Sequence, residues 1–84
     1  MKSEGEVRET LRGWVCRTGG RIQPDQLRDD TPILEHRLIT SLQVMDLILF
    51  LEQLRGAPLD VEAIRPGAFR DINAIYDSFF SNRN

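Results

Sequence analysis

Nine of the thirteen residues from Leu42 to Leu54 are Leu, Ile, Val, Met or Phe, and this segment constrains the fold more than any other. Its apolar positions 42, 44, 45, 47, 48, 49, 51 and 54 do not alternate as a strand would. At helical spacing they cover most of a circumference. A helix is expected from about Ser41 to Arg55, stopped by Gly56 with Pro58 just beyond. A helix that is apolar nearly all round is either central or keeps a face for a partner. Its one mixed stripe is Gln43, Asp46, Phe50 and Gln53, at i, i+3, i+7 and i+10, and Phe50 is conspicuous among those polar neighbours.

The rest of the chain supplies what such a helix packs against. Ser3 and Glu6 have capping-box spacing. Val7, Leu11, Trp14 and Val15 then share one face of a first helix, which Gly19 and Gly20 stop. Cys16 is expected to be half-buried on it. Near the other end, Asp71 can cap a last helix that turns Ile72, Ile75, Tyr76 and Phe79 inward. Pro66 suits the first position of a short helical turn ending near Phe69. Between Arg21 and Ile39 periodicity disappears into Pro24, Asp25, Asp29, Asp30 and Pro32. Ile22, Leu27, Ile33, Leu34 and Leu38 are spaced there like anchors pinning a loop to a core. A loop of about twenty residues is uncommon in a small domain and usually functional. The expected fold is all-α: one domain over residues 1–84, with three main helices, one short helix, and a long loop between the first two.

Size and charge narrow the function. Eighty-four residues bury only about 60–65% of their unfolded surface, and an enclosed pocket of roughly 300–1,000 Å³ would consume much of that core. The chain is therefore read as a non-enzyme. A net charge of −2 argues against nucleic acid, which needs a basic face. Cys16 is the only cysteine, which fits a reducing compartment. The opening MKSEGEVRET carries no apolar run behind Lys2, so no signal peptide is expected. The longest apolar run, Leu47 to Leu51, is five residues, too short for a bilayer. A cytoplasmic monomer that binds no membrane is expected. One His and one Cys provide no metal cluster.

Ser41, at the mouth of the apolar helix, has two readings. Serine is a favoured N-cap, and on local evidence that bland reading carries most of the weight. A nucleophilic serine would need a base and an oxyanion hole. The only histidine, His36, lies in the loop, where it reads as solvated, and no catalytic residue is assigned.

The whole layout resembles the acyl carrier protein family. The resemblance covers about residues 5–80 and is carried by DDTPILEHRLITSLQVMDLILFLEQL, a loop with acids and hydroxyls followed by a Ser-Leu pair and an apolar helix. The tail VEAIRPGAFRDINAIYDSFF is similar to the short third helix and the fourth helix of discrete acyl, aminoacyl or peptidyl carriers. The resemblance implies that Ser41 is the attachment point for 4′-phosphopantetheine, a covalent cofactor added from coenzyme A by a phosphopantetheinyl transferase. Its thiol would carry an acyl or aminoacyl thioester. The other partners implied are an acyl- or aminoacyl-loading ligase and downstream synthase or transferase enzymes.

In that family the second helix is the face that partners recognise. The positions this implies here are Leu42, Gln43, Asp46, Leu49, Phe50 and Gln53. Asp46 would steer a basic surface, and Leu42 and Leu49 would supply apolar contact, though core packing is as good an account of them. Phe50 is the strongest contact candidate, because a core role fits its polar neighbours poorly. Thr40 stands where the family usually has Asp before the serine, and the helix keeps only Asp46 and Glu52 as acids. The pathway implied is specialised-metabolite biosynthesis, of polyketide or nonribosomal type, or a fatty-acid-like one, and both departures tilt the choice slightly to the specialised side. The alternative from a different class is an unmodified helical adaptor that binds through the Leu49/Phe50 face.

Overall fold

The computed structural model describes residues 3–80; residues 1–2 and 81–84 of the expected domain lie outside the described residues. Those described form three helices and no strand: α1 (Glu4–Gly19), α2 (Ser41–Arg55) and α3 (Ile72–Phe79). None of them is long and apolar enough to cross a membrane.

α1 begins with the expected capping box. Ser3 Oγ accepts from the Glu6 N–H at 3.2 Å and Glu6 Oε1 accepts from the Ser3 N–H at 3.0 Å. It ends at Gly20, in the left-handed conformation at φ 66°, whose N–H donates to the Cys16 carbonyl. Val7, Leu11, Val15 and Cys16 face inward. Cys16 is thus buried rather than half-buried, and burial pushes its thiol pKa up.

The connection between α1 and α2 is long but ordered by its own hydrogen bonds. It contains a 3-10 turn at Pro24–Gln26 and a second turn, in which the Arg37 N–H donates to Leu34 O and the Leu38 N–H to Ile33 O. Leu27, Ile33, Leu38 and Ile39 are buried, and Ile22 packs against the core. Leu34 does not anchor the loop as expected; it is exposed. The second turn brings Ile33 and Leu38 together through their backbones and leaves Leu34 on the outside.

The loop is tied to both of its neighbours. Asp29 accepts from Arg8 at 2.9 Å and from Arg12, and Arg12 Nε also donates to Leu27 O. Arg8 reaches on to Asn73 Oδ1 at 2.6 Å and lies over the Tyr76 ring at 4.9 Å. Burial works against the Arg8 charge, but its hydrogen bond to Glu4 and the charges of Asp29 and Glu4 outweigh that and raise its pKa. Backbone bonds from Ile33 N–H to Arg70 O and from Asn73 N–H to Asp29 O complete the tie to α3.

α1 lies against α3, and α2 meets α1 through a stacked Trp14–Phe50 pair with centroids 5.7 Å apart. The fully buried side chains Leu11, Val15, Ile33, Ile39, Leu47, Leu51, Ile72 and Ile75 come from all three helices and the loop. α3 is capped by buried Asp71, which accepts from the Ala74 N–H at 2.7 Å.

The expected short helix at 66–69 is not present. That stretch is a turn closed by i to i+3 bonds, Arg65 O to the Ala68 N–H and Gly67 O to the Arg70 N–H. Gly67 at φ 84° takes the backbone out of the helical region directly after Pro66. The only helical piece between α2 and α3 is a 3-10 turn at Val61–Ala63.

Candidate functional site

The local chemistry at the start of α2 separates two neighbouring hydroxyls. Thr40, not Ser41, is the N-cap: it has extended backbone, and its Oγ1 accepts from the Gln43 N–H at 3.2 Å. Gln43 Oε1 returns the bond by accepting from the Thr40 N–H at 2.8 Å, a full capping box. This corrects the bland reading of Ser41 as the cap. Ser41 is the first residue inside the helix. It is exposed, and its hydroxyl makes no hydrogen bond among the described residues. Its own N–H and that of Leu42 lie ahead of the first intrahelical bonds.

The chain segment that delivers Ser41 is held closely. Leu38 and Ile39 are buried just before it. Gly19 at the end of α1 has no side chain to separate it from the loop; a Cβ there would overlap the Leu38 carbonyl oxygen. Gln43 adds a further link, its Nε2 donating to Thr18 O at 3.2 Å. The first turn of α2 is therefore joined to the last turn of α1.

Beside Ser41 lies an open hollow of about 440 Å³ lined by Arg21, Leu34, Arg37, Ile39, Thr40 and Ser41. His36 is exposed and does not line it. A second hollow, of about 480 Å³, lies at the opposite end of α2 among Arg55, Leu59, Ile64, Ala68 and Phe79. The 15 residues of α2 separate the two by about 20 Å along the helix axis.

The expected partner-binding residues divide into two groups. Leu42 and Leu49 are 84% and 58% exposed, and Asp46 and Gln53 are exposed beside them. Gln43 is half-buried and both ends of its amide are engaged within the chain. Phe50 is half-buried, stacked on Trp14 and packed on the core. The expectation that Phe50 lacks a core role is thus overturned: α1 supplies an aromatic partner from across the fold. Met45, 62% exposed, completes the outward face that sequence reasoning missed. Its signal was present in the spacing: Leu42, Met45, Asp46, Leu49 and Gln53 stand at i, i+3, i+4, i+7 and i+11. The outward stripe is turned about one residue from the mixed stripe expected. Arg21 and Arg37 were also missed: Arg37 is four residues from Ser41 in the chain, but Arg21 comes beside it only in the folded loop.

No protein-family model matches this sequence, and no curated protein matches it.

Proposed function

We propose that this chain is a discrete carrier protein modified on Ser41 with 4′-phosphopantetheine, acting in specialised-metabolite or fatty-acid-like biosynthesis. The observation that carries the reading is the division of labour at the start of α2. Thr40 does the capping, and the exposed Ser41 hydroxyl beside it has no structural task. A serine left over from capping, held at the end of a pinned loop, is well placed for attack by or on an outside group. Modification forms a bond from Ser41 Oγ to the phosphorus of the phosphopantetheinyl group. It breaks the pyrophosphate linkage of coenzyme A, releases 3′,5′-ADP, and passes the serine proton to a base of the transferase.

The residues present fit that group. The phosphodiester charge would lie beside the free N–H groups and positive dipole end of α2, next to a hollow open enough to admit the arm. When attached, the group supplies a thiol for thioester chemistry. Cys16 is unsuited to that role, being buried with its pKa raised. The three helices are compatible with the family's layout, of which the short helix has only the 3-10 turn at Val61–Ala63 as a counterpart here. The exposed Leu42, Met45, Asp46, Leu49 and Gln53 face would meet the transferase, the loading ligase and the downstream enzymes in a cytoplasmic setting.

The test is intact mass after incubation with coenzyme A, magnesium and a broad-specificity phosphopantetheinyl transferase. The expected result is one added phosphopantetheine on the wild type and none on Ser41→Ala. No gain with several transferases that modify a control carrier would overturn the reading. The same three exposed apolar side chains on α2 favour the second reading in that event: an unmodified adaptor that binds a partner helix or groove through this face.

A further inference from the structure

We infer that Arg21 and Arg37 are positioning residues that hold the phosphodiester on Ser41 against the α1–α2 loop, an inference that rests on the carrier reading above. Both line the hollow that contains Ser41, and no acidic residue lines it with them. Neither guanidinium has a carboxylate, hydrogen-bond or ring partner among the described residues, whereas Arg8 and Arg12 are each engaged by carboxylates. Two uncommitted cations beside an exposed hydroxyl suit a singly charged phosphodiester, to which guanidinium groups donate charge-assisted hydrogen bonds.

The backbone at Arg37 is the independent observation. It sits at φ 59°, the one left-handed non-glycine among the described residues. That conformation is unfavourable for an arginine, and glycine or asparagine would meet the needs of the turn with less strain. Strain of this kind gathers at functional positions. The turn is closed on both sides, by the Arg37 N–H to Leu34 O at 3.0 Å and the Leu38 N–H to Ile33 O at 2.8 Å. An arginine with no carboxylate partner among the described residues thus occupies a strained position on the wall of the hollow beside Ser41. Leu34 fits the same role: it is exposed within an otherwise anchored loop and lines the hollow with Ile39. These two offer an apolar wall to the dimethyl-substituted carbon near the phosphate.

The experiment uses the full chain, isotope-labelled, before and after conversion with coenzyme A, with intact mass taken first. On conversion the arginine Nε–Hε resonances of Arg21 and Arg37 should shift while those of Arg28 and Arg65 stay in place. In Arg21→Gln/Arg37→Gln, checked for unchanged helical circular dichroism, the methylene next to the phosphate should gain the mobility of the outer arm. Full mass gain with unmoved Arg21 and Arg37 resonances, and equal arm mobility in wild type and double variant, would overturn this role and leave the carrier reading standing. Absence of mass gain would overturn both.

Discussion

Removing the Thr40 side chain deletes the acceptor for the Gln43 N–H and one half of the capping box. Thr40→Ala should destabilise the fold by about 0.5–2 kcal/mol. Ser41→Ala removes a hydroxyl with no bond among the described residues, so it should fall within about 0.5 kcal/mol of wild type. Urea denaturation of the pair checks this; the reverse order would return Ser41 to the role of cap. Gly19 makes a separate prediction. Its missing Cβ is what lets the Leu38 carbonyl close against the end of α1. The obstacle is backbone rather than a flexible side chain, so Gly19→Ala should cost about 1–3 kcal/mol. It should also displace the amide resonances of residues 38–41, while Gly20→Asn, at a left-handed cap with open space around it, should disturb them little.

At the scale of elements, α2 has two sides with different work. Phe50 fastens it to α1 through Trp14. Phe50→Ala should cost about 2 kcal/mol, below the roughly 3–5 kcal/mol of fully buried aromatics because the ring is only half-buried. Leu49→Gln, on the outward side, should leave stability within about 0.5 kcal/mol. Equal losses for the two would mean that the outward face is not free. The loop depends on one carboxylate that receives two arginines. Asp29→Ala should release it at a cost of about 1–3 kcal/mol. Hydrogen exchange at the Ile33 amide, which donates to Arg70 O, and at the Leu38 amide, which donates to Ile33 O within the loop, should then accelerate before exchange in the core of α1 does.

For the whole molecule, the buried Cys16 thiol links stability to pH. Its pKa is raised in the folded chain, chiefly by burial. The unfolded chain therefore loses that proton first, and stability falls as pH rises above the unfolded thiol's value of about 8.5. Urea midpoints measured from neutral to alkaline pH should drop more steeply for wild type than for Cys16→Ala. Parallel slopes would mean that the thiol ionises as easily in the folded chain as in the unfolded one.

The local sequence determined much of this protein. Ser3 and Glu6, Asp71, and the glycines at 20 and 56 act through bonds or dihedrals within a few residues, so the ends of the helices were legible from spacing alone. Burial of Val7, Leu11, Val15, Ile72 and Ile75 followed from helical periodicity for the same reason. What needed the tertiary structure lies outside helical periodicity: irregular loop geometry and contacts between elements. Phe50 changed from exposed oddity to packed ring because Trp14 meets it from 36 positions away. Leu34 turned outward because the bonds between positions 33 and 38 set the register of that turn. The neighbourhood of Ser41 belongs in part to the same class, since Arg21 reaches it only with the loop path that the Asp29 ties, the close approach at Gly19 and buried Ile39 accompany. Periodicity encodes which face of a helix is apolar, but not which distant side chain will cover it, because that depends on how the loop closes.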